Sequence, residues 1–291
     1  MSTLIDLLHE DGSWRCTLVE GMVDEAVFRL EPGTAPARRD LAARLLDGRD
    51  PGRLADPEQW EAVLIEALLA DPVVARLRVL RLHLTDYHHS AAAAARALAG
   101  SVRTHLEELY LGYDFTYLLE HSRTSTGGRI EPESRLHDGF THDAEAGMWE
   151  ALPALRTLTA EGAFLFDRIG GDSLTEARLR GAVLCDGGVF PASAPALVRL
   201  AVELGTDVYG VACPVDQLEN ELTPTAMPNL RHLDLGEAEF DGTDLEVLEV
   251  LAGSPLLPQL ESLVVRSLEA DEEAVAALMP AFAHLNLSVA H

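Results

Sequence analysis

Lysine is absent from this 291-residue chain, so all 22 of its Lys-plus-Arg residues are arginine. The absence excludes a P-loop lysine, a Schiff-base lysine and a lysine general base. Apolar runs are short, and none approaches the roughly 18 residues that a membrane-spanning helix needs. Positive charge is also scarce: 48 acidic residues outnumber the 22 arginines, which gives a formal net charge of −26. We therefore expect the chain to bind neither nucleic acid nor a membrane.

Cysteine is equally sparse. Cys16, Cys185 and Cys213 are odd in number and widely separated, so they build neither a disulfide framework nor a CxxC metal site. Residues 1–8 lack the basic region of a secretory signal, and Asp6 interrupts their apolar stretch. These features predict a protein of the reducing cytoplasm.

An internal repeat is what the sequence does contain. An apolar residue is followed three places later by a second and two places after that by a third, which forms an L-x-x-L-x-L pattern. In five copies a proline stands two places before the first apolar residue. The spacing between copies is irregular and is longest in the second interval. The copies begin at Leu77, Leu106, Leu155, Leu174, Leu197, Leu230, Leu260 and Phe282.

The pattern resembles the leucine-rich repeat family over residues 71–291. This resemblance implies an α/β solenoid, with a parallel β-sheet on its concave face and helices and irregular connections on its convex face. It also implies that the concave sheet binds another protein. Residues 1–70 lack the repeat, and we predict that they form an N-terminal α+β cap.

The connections and the cap carry their own signals. Alternation of Trp14, Cys16 and Leu18 predicts a strand that pairs with residues 26–30, and the cap should also contain helices at 40–46 and 56–68. The short spacings in the middle of the array predict connections without helices. Residues 112–141 are irregular and are predicted to form a long loop. Helices in the repeats are predicted at 90–99, 143–152, 243–252 and 271–278.

The third, fifth and seventh places of each repeat should face away from the apolar core. We predict that the partner binds there, because arginine and tyrosine at these places are typical of binding hot spots. An alternative is that the arginines only pair with carboxylates on neighbouring strands. The predicted binding residues are Arg81, His83, Glu108, Tyr110, Arg178, Arg180, Arg199, Glu203, His232, Asp234 and Arg266.

These observations predict a non-catalytic scaffold for protein–protein interaction, with no cofactor, no metal and no catalytic residue. They leave the oligomeric state and the identity of the partner protein open. A metal-dependent hydrolytic or regulatory activity is the alternative, although the spacing of its residues matches no established metal motif. That activity would use Asp86, His88, His89, His121, His137 and His142.

Overall fold

The computed structural model describes residues 14–29, 35–84, 90–121, 127, 141, 144–164, 169, 171–183, 190–191, 193–206, 211–266 and 271–289. Their fold is a mixed α/β architecture built on one open sheet of ten strands, which follow one another in chain order. Strands β1 and β2 are antiparallel, and every later strand pairs in parallel with the one before it. The strands are β1 Trp14–Val19, β2 Met22–Arg29, β3 Val79–His83, β4 Glu108–Gly112, β5 Thr157–Phe164, β6 Glu176–Val183, β7 Arg199–Gly205, β8 His232–Leu235, β9 Ser262–Val265 and β10 Asn286–Val289.

Helices connect the strands and pack against one another in the order of the chain. The helices at 35–46, 57–70, 92–99 and 145–151 pack in one group, and those at 216–221, 244–253 and 272–278 pack in another. None of the described helices combines the length and apolar character needed to cross a membrane. The helices are α1 Ala35–Leu46, α2 Pro57–Ala70, α3 Ala92–Ala99, α4 Phe115–His121, α5 Glu145–Ala151, α6 Asp216–Glu221, α7 Asp244–Gly253 and α8 Glu272–Leu278.

The predicted hairpin is confirmed. Strands β1 and β2 meet at Glu20 and Gly21, which both have positive φ, the backbone geometry that a tight two-residue hairpin requires. Because β2 also pairs with β3, the hairpin is continuous with the repeat sheet. The division of the chain into a cap at 1–70 and a repeat domain at 71–291 stays a prediction.

The two helices predicted after the hairpin are both present. Helix α1 begins earlier than expected, at Ala35, whereas α2 begins where the sequence indicates. The carboxylate of Asp56 accepts a hydrogen bond from the Gln59 backbone N–H at 2.9 Å, and Pro57 occupies the first turn. This cap explains the sharp start of α2, because it satisfies one of the backbone N–H groups that a helix N-terminus leaves unpaired.

The repeat appears as an apolar ladder across the sheet. Equivalent residues of adjoining strands are paired in register and are almost completely buried, and each buried leucine contributes about 1.5–3 kcal/mol of hydrophobic stabilisation. The buried side chains point towards the helices. The opposite side of the sheet, which we call the open face, therefore carries the side chains of the alternate residues. The ladder consists of Leu80, Leu109, Leu158, Ala177, Leu200, Leu233 and Leu263.

The last repeat is displaced from its predicted alignment. The sequence pattern placed Leu285 beside Leu263, but the structure pairs Leu287 with Leu263 and starts β10 at Asn286. A shift of two residues leaves the inward and outward faces of a strand unchanged, so leucines two places apart satisfy either register. The 3-10 turn Met279–Phe282 is followed by a further turn. Together the two turns make the connection before β10 two residues longer than the pattern predicts.

The connections agree with the sequence in most places. Helices α3, α5, α7 and α8 coincide with predicted helices, and within the described residues no helix lies between β5 and β7. The loop predicted at 112–141 is wrong in its first part, because Gly112 ends β4 and α4 follows almost at once. Most of the remainder lies outside the described residues.

Candidate functional site

The predicted binding residues lie on the open face, and strand alternation explains why. Arg81 stands beside Tyr110 in the register of the sheet, Arg180 beside Glu203, and Arg199 beside His232. His83 and Glu108 occupy alternate places on β3 and β4, Arg178 and Asp234 do so on β6 and β8, and Arg266 directly follows β9.

Cross-strand ion pairs dominate this face. Arg81 pairs with Glu25 on one side and donates to Glu108 Oε1 at 2.8 Å on the other. Arg178 pairs with Glu203, and the Arg180 Nε lies 3.1 Å from the other oxygen of the same carboxylate. Pairing with carboxylates on neighbouring strands, which the alternative prediction requires, is therefore present for Arg81, Arg178 and Arg180. It does not test whether the same residues bind a partner.

A largely buried polar cluster lies on the open face, in the middle and carboxyl-terminal parts of strands β3 to β6. We define this cluster by His83, Tyr110, Asp114, Glu161 and Arg180. Glu161 is its centre and is only 7% exposed. Its Oε2 accepts hydrogen bonds from the Tyr110 hydroxyl at 2.6 Å and from the Phe115 backbone N–H at 2.7 Å.

The remaining members join the cluster on either side of Glu161. Arg180 Nη1 lies 3.9 Å from Glu161 Oε1, donates to the Thr116 hydroxyl at 3.2 Å, and places its guanidinium over the Phe115 ring. The cluster therefore fastens the start of α4 to the sheet.

His83 and Asp114 extend the cluster towards β2. The His83 ring stacks on Tyr110 with ring centroids 4.2 Å apart, and its Nδ1 lies 3.2 Å from Asp114 Oδ2, which is close enough for an ion pair when the imidazole is protonated. Asp114 also forms an ion pair with Arg29 at 2.6 Å.

The backbone allows this close arrangement at two positions. A Cβ atom on Gly112 would lie 2.6 Å from both the Cβ and the backbone nitrogen of Glu161, so only glycine lets the two strands approach here. Asp114 has φ 50, a left-handed conformation that aspartate tolerates better than most residues. This turn directs the Phe115 N–H towards Glu161.

Burial and negative charge keep Tyr110 protonated. Desolvation raises the pKa of its hydroxyl far above the ordinary value, and the negative charge of Glu161 raises the pKa further. The hydroxyl therefore acts as a hydrogen-bond donor to Glu161 at every physiological pH.

The open face is more accessible along β6 to β9. The Arg178 side chain is 60% exposed, and Arg199 and Asp234 are also exposed. His232 is half-buried, and its Nδ1 lies 2.8 Å from the Ser262 hydroxyl. We call Arg178, Arg199 and Asp234 the exposed patch, because their side chains remain accessible to a second molecule.

The residues of the predicted metal site are mostly outside the described part of the chain. This applies to Asp86, His88, His89, His137 and His142, while His121 ends α4 and its side chain is not described. Among the described residues, no group of three or more His, Cys, Asp or Glu side chains could hold a metal ion. A metal-dependent activity therefore stays a prediction.

The predicted binding residues do not include two members of the cluster, Glu161 and Asp114. Glu161 occupies the seventh place of its repeat, as do His83 and Arg180, so the repeat pattern places it on the same face as they are, although it was not among the predicted binding residues. Asp114 falls in the segment predicted as a loop, where no periodic pattern marks a contact with the sheet.

Comparisons with known proteins add little to this description. No protein-family model matches the chain, and no curated protein matches it. A crystal structure of a Bacteroides fragilis protein is similar, with 16% sequence identity, a TM-score of 0.49 and coverage of 94% of this chain and 84% of that one.

Proposed function

We propose that this chain is a leucine-rich repeat solenoid that serves as a non-catalytic scaffold and binds another protein on its open face. The repeated apolar ladder, with parallel strands in chain order, supports the solenoid. In such an array each unit covers the apolar edge of its neighbour, and the alternate side chains form a continuous surface. A location in the reducing cytoplasm belongs to the same proposal.

The observation that carries the binding proposal is the exposed patch. The polar groups of the cluster around Glu161 are bonded to one another and largely buried, so they have little capacity left for a partner. Arg178 and Arg199 lie on adjoining strands near Asp234 and are exposed, and Arg178 keeps this exposure while it pairs with Glu203. Arginine is among the residues that contribute most to protein interfaces, because its planar group makes several hydrogen bonds and stacks on apolar surface.

A selection experiment tests this proposal and does not require that the partner be identified first. Purified protein is used to select binders from a displayed peptide library, and the affinity of each binder is measured by calorimetry. The test variant is Arg178→Glu/Arg199→Glu. The control is Arg76→Glu/Arg96→Glu, which changes the net charge equally at exposed arginines outside the strands.

We expect the test variant to lose at least about tenfold in affinity, or roughly 1.4 kcal/mol, for the selected binders. The control should bind as the wild type does, and urea unfolding should show that both variants are folded. Binders that respond equally to both variants, or to neither, would refute the exposed patch as the binding surface.

A further inference from the structure

The exposed patch places two positive charges close together. Arg199 lies beside Glu176 in the register of β6 and β7, and Arg178 is two residues further along β6. Arg178 and Arg199 are therefore diagonal neighbours on one face, with about 8 Å between their Cα atoms. Two guanidinium groups so close to each other repel, and a carboxylate that lies between them can accept hydrogen bonds from both.

Neither arginine is fully engaged by the protein itself. Arg178 forms an ion pair with Glu203 through its Nη2, and its side chain stays 60% exposed. A guanidinium has five N–H donors, so most donors of Arg178 remain for a second molecule. Arg199 is exposed and forms no ion pair with any residue that the structure describes. The two groups together can therefore bind a carboxylate through charge-assisted hydrogen bonds.

A negative charge lies near this pair of arginines. Asp234 on β8 occupies the same row of the sheet as Arg178, and Ala201 of β7 lies between them and contributes no long side chain. The two charges are about 10 Å apart, since neighbouring strands are about 4.8 Å apart. Asp234 is exposed, and its Oδ1 accepts a hydrogen bond from the Gly236 backbone N–H at 2.9 Å. Its second carboxylate oxygen is therefore available to a basic group.

We propose that the exposed patch recognises a pair of opposite charges on the partner protein. A carboxylate of the partner binds between Arg178 and Arg199, and a basic group about 10 Å away binds Asp234. The net charge of −26 favours this pair over a carboxylate alone, because it repels an acidic partner and the basic group offsets that repulsion. Charges of both signs also fix the orientation of the partner on the sheet. This specificity rests on the proposed scaffold function, since it names what the partner presents to the same patch.

Titration with acetate tests the carboxylate site without any partner. NMR follows the Nε–H resonances of the arginines while sodium acetate replaces sodium chloride at constant ionic strength. We expect the resonances of Arg178 and Arg199 to move at least about twofold further than those of Arg76 and Arg96, which are exposed outside the strands. Arg199→Gln should return the response of Arg178 to the level of these controls, because one carboxylate contacts both groups. Equal responses from all four arginines would overturn the carboxylate site.

Double-mutant cycles on the selected peptide binders test the pair of charges. Each acidic or basic residue of a binder is replaced by alanine, and calorimetry measures its affinity for the wild type, Arg199→Gln and Asp234→Asn. We expect an acidic residue to couple to Arg199 and a basic residue to couple to Asp234, each by at least about threefold in affinity. Glu176→Gln is the matched control, because it removes another exposed carboxylate from the same face. It should show no coupling to the basic residue.

The outcomes distinguish this specificity from the scaffold function itself. Binders that lose affinity for Arg178→Glu/Arg199→Glu but couple equally to Asp234→Asn and Glu176→Gln would support the exposed patch as a binding surface and overturn the pair of charges. If no binder responds to Arg178→Glu/Arg199→Glu while acetate still acts on both arginines, the carboxylate site stands and the scaffold function fails.

Discussion

Replacement of Glu161 tests whether the polar cluster holds the segment after β4 against the sheet. In Glu161→Ala the Phe115 N–H and the Tyr110 hydroxyl both lose their acceptor. A buried donor without an acceptor costs about 1–3 kcal/mol, and hydrogen bonds to charged groups are at the upper end of this range. We therefore expect Glu161→Ala to lower the free energy of unfolding by about 3–5 kcal/mol.

Two conservative substitutions separate the contribution of the Glu161 charge from that of the Tyr110 hydrogen bond. Glu161→Gln keeps an oxygen that accepts both hydrogen bonds, but it removes the negative charge and replaces the oxygen that faces Arg180 with an NH2 group, so we expect a loss of about 1–2 kcal/mol. Tyr110→Phe removes one donor and leaves Glu161 bonded to the Phe115 N–H, and its expected loss is similar. Glu176→Ala is the matched control, because Glu176 is an exposed carboxylate on the same face, and its effect should stay within about 0.5 kcal/mol.

Urea unfolding monitored by tryptophan fluorescence measures these differences, with the slope m expected to stay constant. Exchange of the Phe115 amide gives a local measurement, because this amide should lose protection in Glu161→Ala and keep it in Glu176→Ala. If Glu161→Ala and Glu176→Ala were equally stable, with Phe115 protected in both, the cluster would not be what holds this segment.

Three further predictions concern a glycine, a tyrosine and a cysteine. Gly181→Ala would put a Cβ atom 1.5 Å from the Gly162 carbonyl oxygen, so strand β6 must move. We expect this variant to lose about 1–3 kcal/mol of its free energy of unfolding, which urea unfolding can measure. The folded-state pKa of Tyr110 is raised above its unfolded value, so the stability that it provides below about pH 10 should be lost as the pH rises further, which pH-dependent unfolding can measure. Burial, followed by the negative charges of Glu221 and Asp241, raises the pKa of Cys213 to about 12, so its thiol should resist alkylation at about pH 8 until the protein unfolds, as mass spectrometry would show.

The sequence was most informative where one physical constraint repeats. Leucines at fixed places predicted the ladder because every strand must bury the same side against its neighbours. The same constraint failed at β10, since Leu285 and Leu287 both satisfy alternation and the length of the preceding turn decides between them. Register that is shifted by an even number of residues is therefore invisible to an inside–outside pattern.

The candidate site was predictable only as a surface. Alternation placed Arg81, Arg178 and Arg180 on the open face, and their pairing with carboxylates followed from the registers of the strands. The contacts of Asp114 and Phe115 did not follow, because a turn with positive φ returns the chain towards Glu161 and no periodic signal specifies that direction. Contacts made by a non-repeating segment depend on tertiary geometry rather than on local pattern.

The order of charges across the open face explains how so acidic a chain builds a parallel sheet. Parallel strands lie about 4.8 Å apart, so equivalent places form rows in which like charges on adjoining strands would be destabilising. In the row that runs through the cluster, no two adjoining residues carry the same charge, and its register reads Arg29, His83, Gly112, Glu161, Arg180 and Glu203.

An arginine between two carboxylates is what makes this order stable. The guanidinium of Arg180 contacts Glu161 on one side and Glu203 on the other, and Arg81 does the same with Glu25 and Glu108. A forked group with five donors can reach both neighbouring strands, whereas the compact ammonium of lysine acts as a single point of charge. In the exposed patch, Arg178 and Asp234 lie two strands apart in one row with Ala201 between them, so a protein that binds there would meet both signs of charge rather than a uniform negative field.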